Sequence, residues 1–178
     1  MEFGDAYVEW APFEHPQYGR VEMGGWKKLS GRINPRFLSM ELFHRNMAFT
    51  LYHADQMPLM RMGETSVERL DGDLFRVRVD IRNERLIPTI TEVARRNRVV
   101  RPDLLTVEGT GVEVVAAGWV ADRNRPGPTE RIDQPELNRI LIASGHPGRT
   151  TRTIEYLVRG SGSMTVRYSA VKGGTVET

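Results

Sequence analysis

The feature that most constrains this chain is a change in the spacing of its apolar residues near residue 65. Between Met40 and Ala54 the apolar residues recur every three or four positions, which predicts one face of an α-helix. Between Phe75 and Ile81 they alternate with polar residues, most of them arginines. That alternation predicts a half-buried antiparallel strand with guanidinium groups on its outer face.

The region after residue 65 contains about seven such short strands, separated by turn signals, and this pattern is typical of a β-sandwich. The other strands are predicted over residues 66–70, 104–107, 112–120, 139–143, 153–159 and 164–170. Residues 108–111 and 160–163 are glycine-containing and predict hairpin connections. Residues 91–98 fit a short helix or a turn, and 122–138 an irregular loop.

The helix is predicted to begin at Asn34-Pro35, an N-cap followed by proline at the first helical position, and to end before Pro58. Leu42, Phe49 and Tyr52 add a second apolar stripe to it. We therefore expect the helix to be covered on two sides.

The predicted organisation has two parts. Residues 1–60 form an extended arm and one α-helix. Residues 61–178 form a mainly β domain, a seven-stranded antiparallel β-sandwich of the immunoglobulin or fibronectin III type.

Composition and spacing exclude several classes of site. A net charge of +2 is too small for non-specific nucleic-acid binding, and no stretch approaches the ~20 apolar residues of a membrane span. The chain has no cysteine, no glutamate three residues after any histidine and no Gly-x-Ser-x-Gly motif. Glu41 and His44 stand one helical turn apart, but di-iron sites of that kind need four helices. We assign no catalytic residue, metal ligand or cofactor to this chain.

An alternative is a glycan- or protein-binding sandwich module of an exported protein. Trp119, Tyr156 and the strand arginines would form its stacking surface, together with the 122–138 loop. Alternation with Ile154 and Val158 instead favours a core position for Tyr156.

One segment needs more than a structural account: residues 10–26, Trp-Ala-Pro-Phe-Glu-His-Pro-Gln-Tyr-Gly-Arg-Val-Glu-Met-Gly-Gly-Trp. It resembles the stretch that follows the catalytic domain in bacterial zinc carboxypeptidases of the carboxypeptidase A type. Four later segments agree with that family in the same order. They are Asn34-Pro35 with the helix that follows, Arg82 to Thr89, Ile154 to Gly160 and Ser169 to Thr175.

The resemblance implies that the zinc ligands and the catalytic glutamate lie upstream of Trp10, so zinc is expected only in that catalytic domain. Glu9 adjoins Trp10 and is not assigned as the base. The implied partner is the peptidase domain or a second copy of this chain, and the implied location is periplasmic or extracellular. We expect no nucleic acid and no membrane insertion.

Physically, residues 10–26 are typical of a docking strap. Pro16 fixes an extended approach, Gly19 permits a turn, and Gly24-Gly25 allow close backbone contact beneath Trp26. The candidate docking residues are Trp10, His15, Pro16, Gly19, Glu22, Gly24, Gly25 and Trp26.

Overall fold

The computed structural model describes residues 6–28, 36–122 and 130–178, which form eleven strands and two helices. The first elements are β1 Tyr7–His15, β2 Gly19–Trp26, α1 Arg36–Asp55, β3 Met60–Asp71, β4 Leu74–Asn83 and α2 Glu92–Arg96. The remaining strands are β5 Asp103–Gly109, β6 Val112–Val120, β7 Glu130–Arg131, β8 Arg139–Ile142, β9 Thr150–Gly160, β10 Met164–Ala170 and β11 Gly174–Glu177. The chain divides into two units, Met1–Tyr52 and His53–Thr178.

The first unit holds a β-hairpin and most of helix α1. The sequence predicted a single extended arm, whereas β1 and β2 pair as antiparallel strands. Helix α1 ends at Asp55, three residues before Pro58, so it ends before that proline as predicted. The predicted N-cap at Asn34-Pro35 lies outside the described residues.

The second unit contains two antiparallel sheets. One has four strands in the order β11-β10-β5-β8, and the other has five in the order β3-β4-β9-β6-β7. Strands β6 and β10 have the bounds that their alternation predicts. The sequence missed β7 and β11, which are short edge strands, so the strand count exceeds seven. The mainly β architecture is as predicted.

A single core cluster contains buried residues from both sheets. Val79, Ile81 and Tyr156 come from the five-stranded sheet, and Leu105 and Tyr168 come from the four-stranded sheet. Tyr156 is fully buried, as its alternation with Ile154 and Val158 predicts. Two arginines of β4, Arg76 and Arg78, pair with carboxylates beside the core rather than within it. Arg78 Nε lies 2.8 Å from Glu155 Oε2, and Arg76 pairs with Glu68 at 2.7 Å.

Both glycine-containing connections predicted as hairpins carry the chain from one sheet to the other. Strand β5 belongs to the four-stranded sheet and β6 to the five-stranded sheet, and β9 and β10 are divided in the same way. The two connections lie against each other: a Cβ on Gly160 would come 2.0 Å from Gly111 O, and one on Gly162 would come 1.7 Å from Thr110 O. The hairpin prediction was therefore wrong at both places, since the connections are corners between sheets.

The region between β4 and β5 contains the short helix that the sequence left undecided. Thr91 caps α2, because its hydroxyl oxygen accepts a hydrogen bond from Ala94 N at 3.3 Å. Of the predicted 122–138 loop, residues 123–129 lie outside the described residues, and Glu130–Arg131 pair with β6. Among the described residues, no helix combines the length and apolar character that crossing a membrane requires.

Gly160→Ala is predicted to destabilise the second unit more than Gly72→Ala does. Both glycines have positive φ, +125° and +56°, but only Gly160 would bring a Cβ against backbone atoms. Gly72→Ala should cost roughly 1–2 kcal/mol from its backbone conformation alone. Urea unfolding of the two variants measures the difference, and equal losses would contradict the proposed contact between the corners.

Candidate functional site

The β1–β2 hairpin contains the candidate docking residues, and a β-bulge determines how Trp10 lies on it. Val8 pairs with Gly25 and Ala11 with Met23, so Glu9 and Trp10 together oppose Gly24. A Cβ on residue 24 would lie 2.6 Å from Trp10 Cα and 2.8 Å from Trp10 Cγ. Only glycine fits there, because any side chain would overlap Trp10.

The aromatic residue over the two glycines is thus Trp10, whereas the sequence placed Trp26 there. Gly25 has φ +100°, and a Cβ on it would lie 3.6 Å from Trp10 Cζ2. Trp26 contacts Tyr7 instead, edge to face, with ring centroids 5.3 Å apart. The difference arises because the bulge shifts the register by one residue between Val8 and Ala11.

His15, Pro16 and Gly19 form the turn of the hairpin. His15 Nδ1 accepts hydrogen bonds from Gln17 N at 3.1 Å and from Tyr18 N at 3.3 Å, and the His15 and Tyr18 rings lie 4.8 Å apart. Gly19 has φ +67°, so the turn that the sequence predicted there is present. These residues define the shape of the hairpin tip.

The hairpin exposes a large aromatic surface. Trp10 is 60% exposed, Tyr18 76% and Trp26 75%. Glu22, which opposes Pro12, is also exposed and is the acidic member of the candidate set. We call the exposed side chains of residues 7–26 the hairpin surface.

Helix α1 adds exposed apolar side chains that the predicted docking set did not include. Successive helical residues are rotated by about 100°, so Phe43, Phe49 and Tyr52 project in different directions. All three are exposed, and Met40 is 78% exposed. Other exposed apolar residues of α1 are Phe37, Met47 and Leu51. The helix therefore carries apolar side chains on more than one side, as the two stripes predicted, and the large ones named above are exposed.

The residues that could have suggested acid–base or metal chemistry are dispersed or buried. Glu41 pairs with Arg45 at 2.5 Å, and His44 is exposed. Across 6–28, 36–122 and 130–178, no group of three or more His, Asp or Glu side chains is arranged to hold a metal ion. The stacking surface predicted for a glycan-binding module is also not available. Tyr156 is buried, and the Arg152 guanidinium lies 3.9 Å over the Trp119 ring.

A buried polar cluster in the second unit escaped the sequence analysis. Asp103 Oδ2 accepts hydrogen bonds from Thr89 Oγ1 and from Tyr168 OH, the latter at 2.7 Å. Thr89 Oγ1 accepts in turn from His146 N at 2.6 Å, and His146 Nε2 lies 2.9 Å from Ile81 O. All four side chains are almost completely buried. Burial raises the pKa of Tyr168, and the Asp103 carboxylate raises it further. We call Thr89, Asp103, His146 and Tyr168 the polar cluster.

The polar cluster joins four separate segments of the chain. A separate buried side chain, Asn83, bonds to nearby backbone groups: its Oδ1 accepts hydrogen bonds from Leu59 N and Arg85 N, both at 3.2 Å. Asn83 and Thr89 each bond to backbone groups of the segment that follows β4 or of its neighbour. Asn83 Nδ2 donates to Ile87 O at 2.9 Å, and Thr89 Oγ1 accepts from His146 N.

A family model for a domain of unknown function, DUF8731, matches residues 60–178. The chain belongs to the DUF8731 family. No curated protein and no solved structure matched the chain. The DUF8731 region begins with β3 and includes every strand of both sheets, whereas the hairpin surface and helix α1 precede it. The family boundary thus lies close to the division between the two units.

Gly24→Ala is predicted to displace Trp10 from the hairpin. The added Cβ would overlap the Trp10 backbone and ring, whereas Gly19→Ala adds a methyl group with nothing within 4 Å. The chain has three tryptophans, so the indole N–H signals in an NMR spectrum report the change. The Trp10 signal should move in Gly24→Ala and the Trp119 signal should stay. A larger Trp10 shift in Gly19→Ala would contradict the proposed contact.

The polar cluster is predicted to make the DUF8731 region less stable as pH falls below about 6.5. Burial lowers the pKa of His146, so the ring is neutral near pH 7. The same imidazole titrates near ~6.5 in the unfolded chain. The unfolded state therefore takes up the proton first, and the stability held above that pH is lost as pH decreases.

Urea unfolding between pH 7.5 and 5 measures this loss, and an NMR titration of the His146 ring checks its origin. His146→Gln should flatten the pH dependence, whereas His44→Gln, at an exposed position, should leave it unchanged. A His146 ring that titrates above its ordinary pKa would refute the explanation.

Proposed function

We propose that this chain is a non-catalytic accessory domain of a zinc-carboxypeptidase-like protein, and that the hairpin surface and helix α1 dock on its peptidase domain. The DUF8731 sheets follow this docking region and are positioned by it. The observation that carries the proposal is the exposure of apolar side chains on more than one side of α1. Large exposed apolar side chains grouped on one element are typical of an interaction surface.

The energetics favour an apolar interface over a charged one. Complete burial of a side chain such as Phe43 or Met47 contributes about 1.5–3 kcal/mol, whereas an exposed ion pair contributes about 0–1 kcal/mol. Several such side chains are exposed on α1 and on the hairpin. The net charge of the chain is only +2, and on α1 Arg45 already pairs with Glu41. Electrostatic attraction of a polyanion therefore contributes little.

The choice of a peptidase domain as the partner rests on the resemblance of residues 10–26. The structure gives this segment a physical role that is compatible with docking. Gly24 and Gly25 accommodate Trp10 and keep it on an exposed face, and His15 fixes the hairpin tip. We include in the proposal that the two sheets are an elaborated immunoglobulin-like or fibronectin-like sandwich, which the shared core supports.

The alternative of a glycan-binding module has less support. It requires an exposed aromatic platform on the sheets, but Tyr156 is in the core and Trp119 is covered by Arg152. The exposed aromatics lie on the hairpin and helix instead.

Phe43→Glu is predicted to weaken docking at least tenfold. The binding partner for this test is the catalytic domain of a bacterial zinc carboxypeptidase of the carboxypeptidase A type that has a segment similar to residues 10–26. The catalytic domain is truncated before that segment. Calorimetric titration with the purified chain should give saturable binding. A glutamate at residue 43 would be buried in the interface without a partner. Its desolvation would therefore weaken binding by more than the loss of the phenylalanine's apolar contact alone.

Val99→Glu is the matched control, because Val99 is exposed to a similar degree but belongs to the DUF8731 region. It should bind as the unmodified chain does. No binding by the unmodified chain, or equal weakening by both variants, would overturn the docking proposal. Sedimentation of the chain alone tests the second-copy partner, and a stable dimer that Phe43→Glu dissociates would assign the surface to self-association.

Stoichiometric zinc or saturable hydrolysis of a C-terminal residue by the purified chain would overturn the non-catalytic assignment.

A further inference from the structure

An apolar cavity of about 310 Å³ lies inside the second unit, between the two sheets. Its inner wall consists of Val77, Val79, Val158 and Val166, which are core residues with almost no exposure. Its mouth includes Val67, which is 64% exposed. The core of the DUF8731 region is therefore open to solvent at this place.

The exposure of Val67 follows from the way β3 extends the five-stranded sheet. Val67 pairs with Val77 and Thr65 with Val79, so these residues share the face that forms the core. At Val77 and Val79 that face is buried, and at Val67 it is uncovered. When such an exposed apolar face is covered, the free energy of the system falls by about 25 cal/mol for each Å² of apolar surface removed from water.

The described residues that line the cavity include no charged side chain. Their polar groups are hydroxyls, those of Thr65, Ser161 and Thr178. Thr65 Oγ1 and Thr178 Oγ1 lie 3.5 Å apart and bring the two sheets together at one side of the cavity. No side chain on these walls can pair with a charged group of a ligand, whereas their hydroxyls can form a hydrogen bond with one hydroxyl or amide of a ligand.

The size of the cavity limits the ligand further. An apolar protein cavity of ~150 Å³ stays dry and binds benzene. The present cavity has about twice that volume, which corresponds to an apolar group of roughly ten to twelve carbon atoms. It also reaches the lower end of the ~300–1,000 Å³ range typical of small-molecule sites.

We propose that this cavity binds the hydrocarbon part of a small uncharged molecule with about ten carbon atoms. The hydrocarbon contacts the valines of the inner wall, and a single polar end remains near Thr65, Ser161 and Thr178. This site is independent of the docking surface, since every residue that lines it belongs to the second unit.

The test uses the full chain with methyl-labelled valine and two probes, 1-decanol for a linear chain and 2-naphthol for a fused ring. NMR titration should shift the methyl signals of Val77, Val79, Val158 and Val166 in a saturable way with at least one probe. Saturation by 1-decanol alone would assign the site to alkyl chains, and saturation by 2-naphthol alone to aromatic rings. Probe that binds only to the exposed helix would shift signals of residues 36–55 and leave these four valines unchanged, which would overturn the proposal.

Val67→Arg and Val67→Glu should each weaken the affinity at least tenfold, because either charge at the mouth disfavours an apolar ligand. Val99→Arg is the matched control, since Val99 is 71% exposed and does not line the cavity. It should keep the affinity of the unmodified chain. Unchanged affinity in both Val67 variants, with the fold checked by their NMR spectra, would refute the proposed mouth.

Discussion

Two corner connections lying against each other are the constraint on which the DUF8731 region depends. At each of them the chain leaves one sheet and enters the other, and the backbones of 109–111 and 160–163 approach so closely that a side chain on Gly160 or Gly162 would overlap a carbonyl group. Each corner brings a strand of one sheet over a strand of the other. The shared core of Tyr156, Leu105 and Tyr168 can form because the sheets are joined in this way.

Buried polar groups also lie between the segments that the corners connect, and the polar cluster supplies hydrogen-bond partners for several of them. Asp103 begins β5, Thr89 follows β4, and His146 precedes β9, so one set of hydrogen bonds holds three segments that carry little regular structure. A buried carboxylate is costly without donors, and here two hydroxyl groups donate to it. The most buried histidine and aspartate of the described chain, His146 and Asp103, both belong to this cluster, where they take part in its hydrogen bonds.

The first unit follows the opposite rule, because it exposes the residue types that the second unit buries. Its hairpin is internally well determined: Trp10 lies over Gly24, Trp26 against Tyr7, and His15 within the turn. Its helix nevertheless presents phenylalanine and methionine to solvent. A segment that is locally ordered and apolar on its outside has the properties of part of an interface, and this contrast between the two units is the physical basis of the proposed function.

The sequence by itself determined the type and approximate bounds of most elements, because spacing of two or of three to four residues is a local property. It placed α1, β6 and β10 well, put Tyr156 in the core and located a turn at Gly19.

Tertiary structure alone decided which sheet each strand joins. A run with two-residue alternation, followed by a glycine turn, looks the same in sequence whether the turn is a hairpin or a corner between sheets. It also decided that Trp10 and not Trp26 covers the glycines, because a bulge changes the cross-strand register without leaving a local signal. The polar cluster and the cavity were beyond sequence reasoning for the same reason: their members are far apart along the chain, and only the packing of two sheets brings them together.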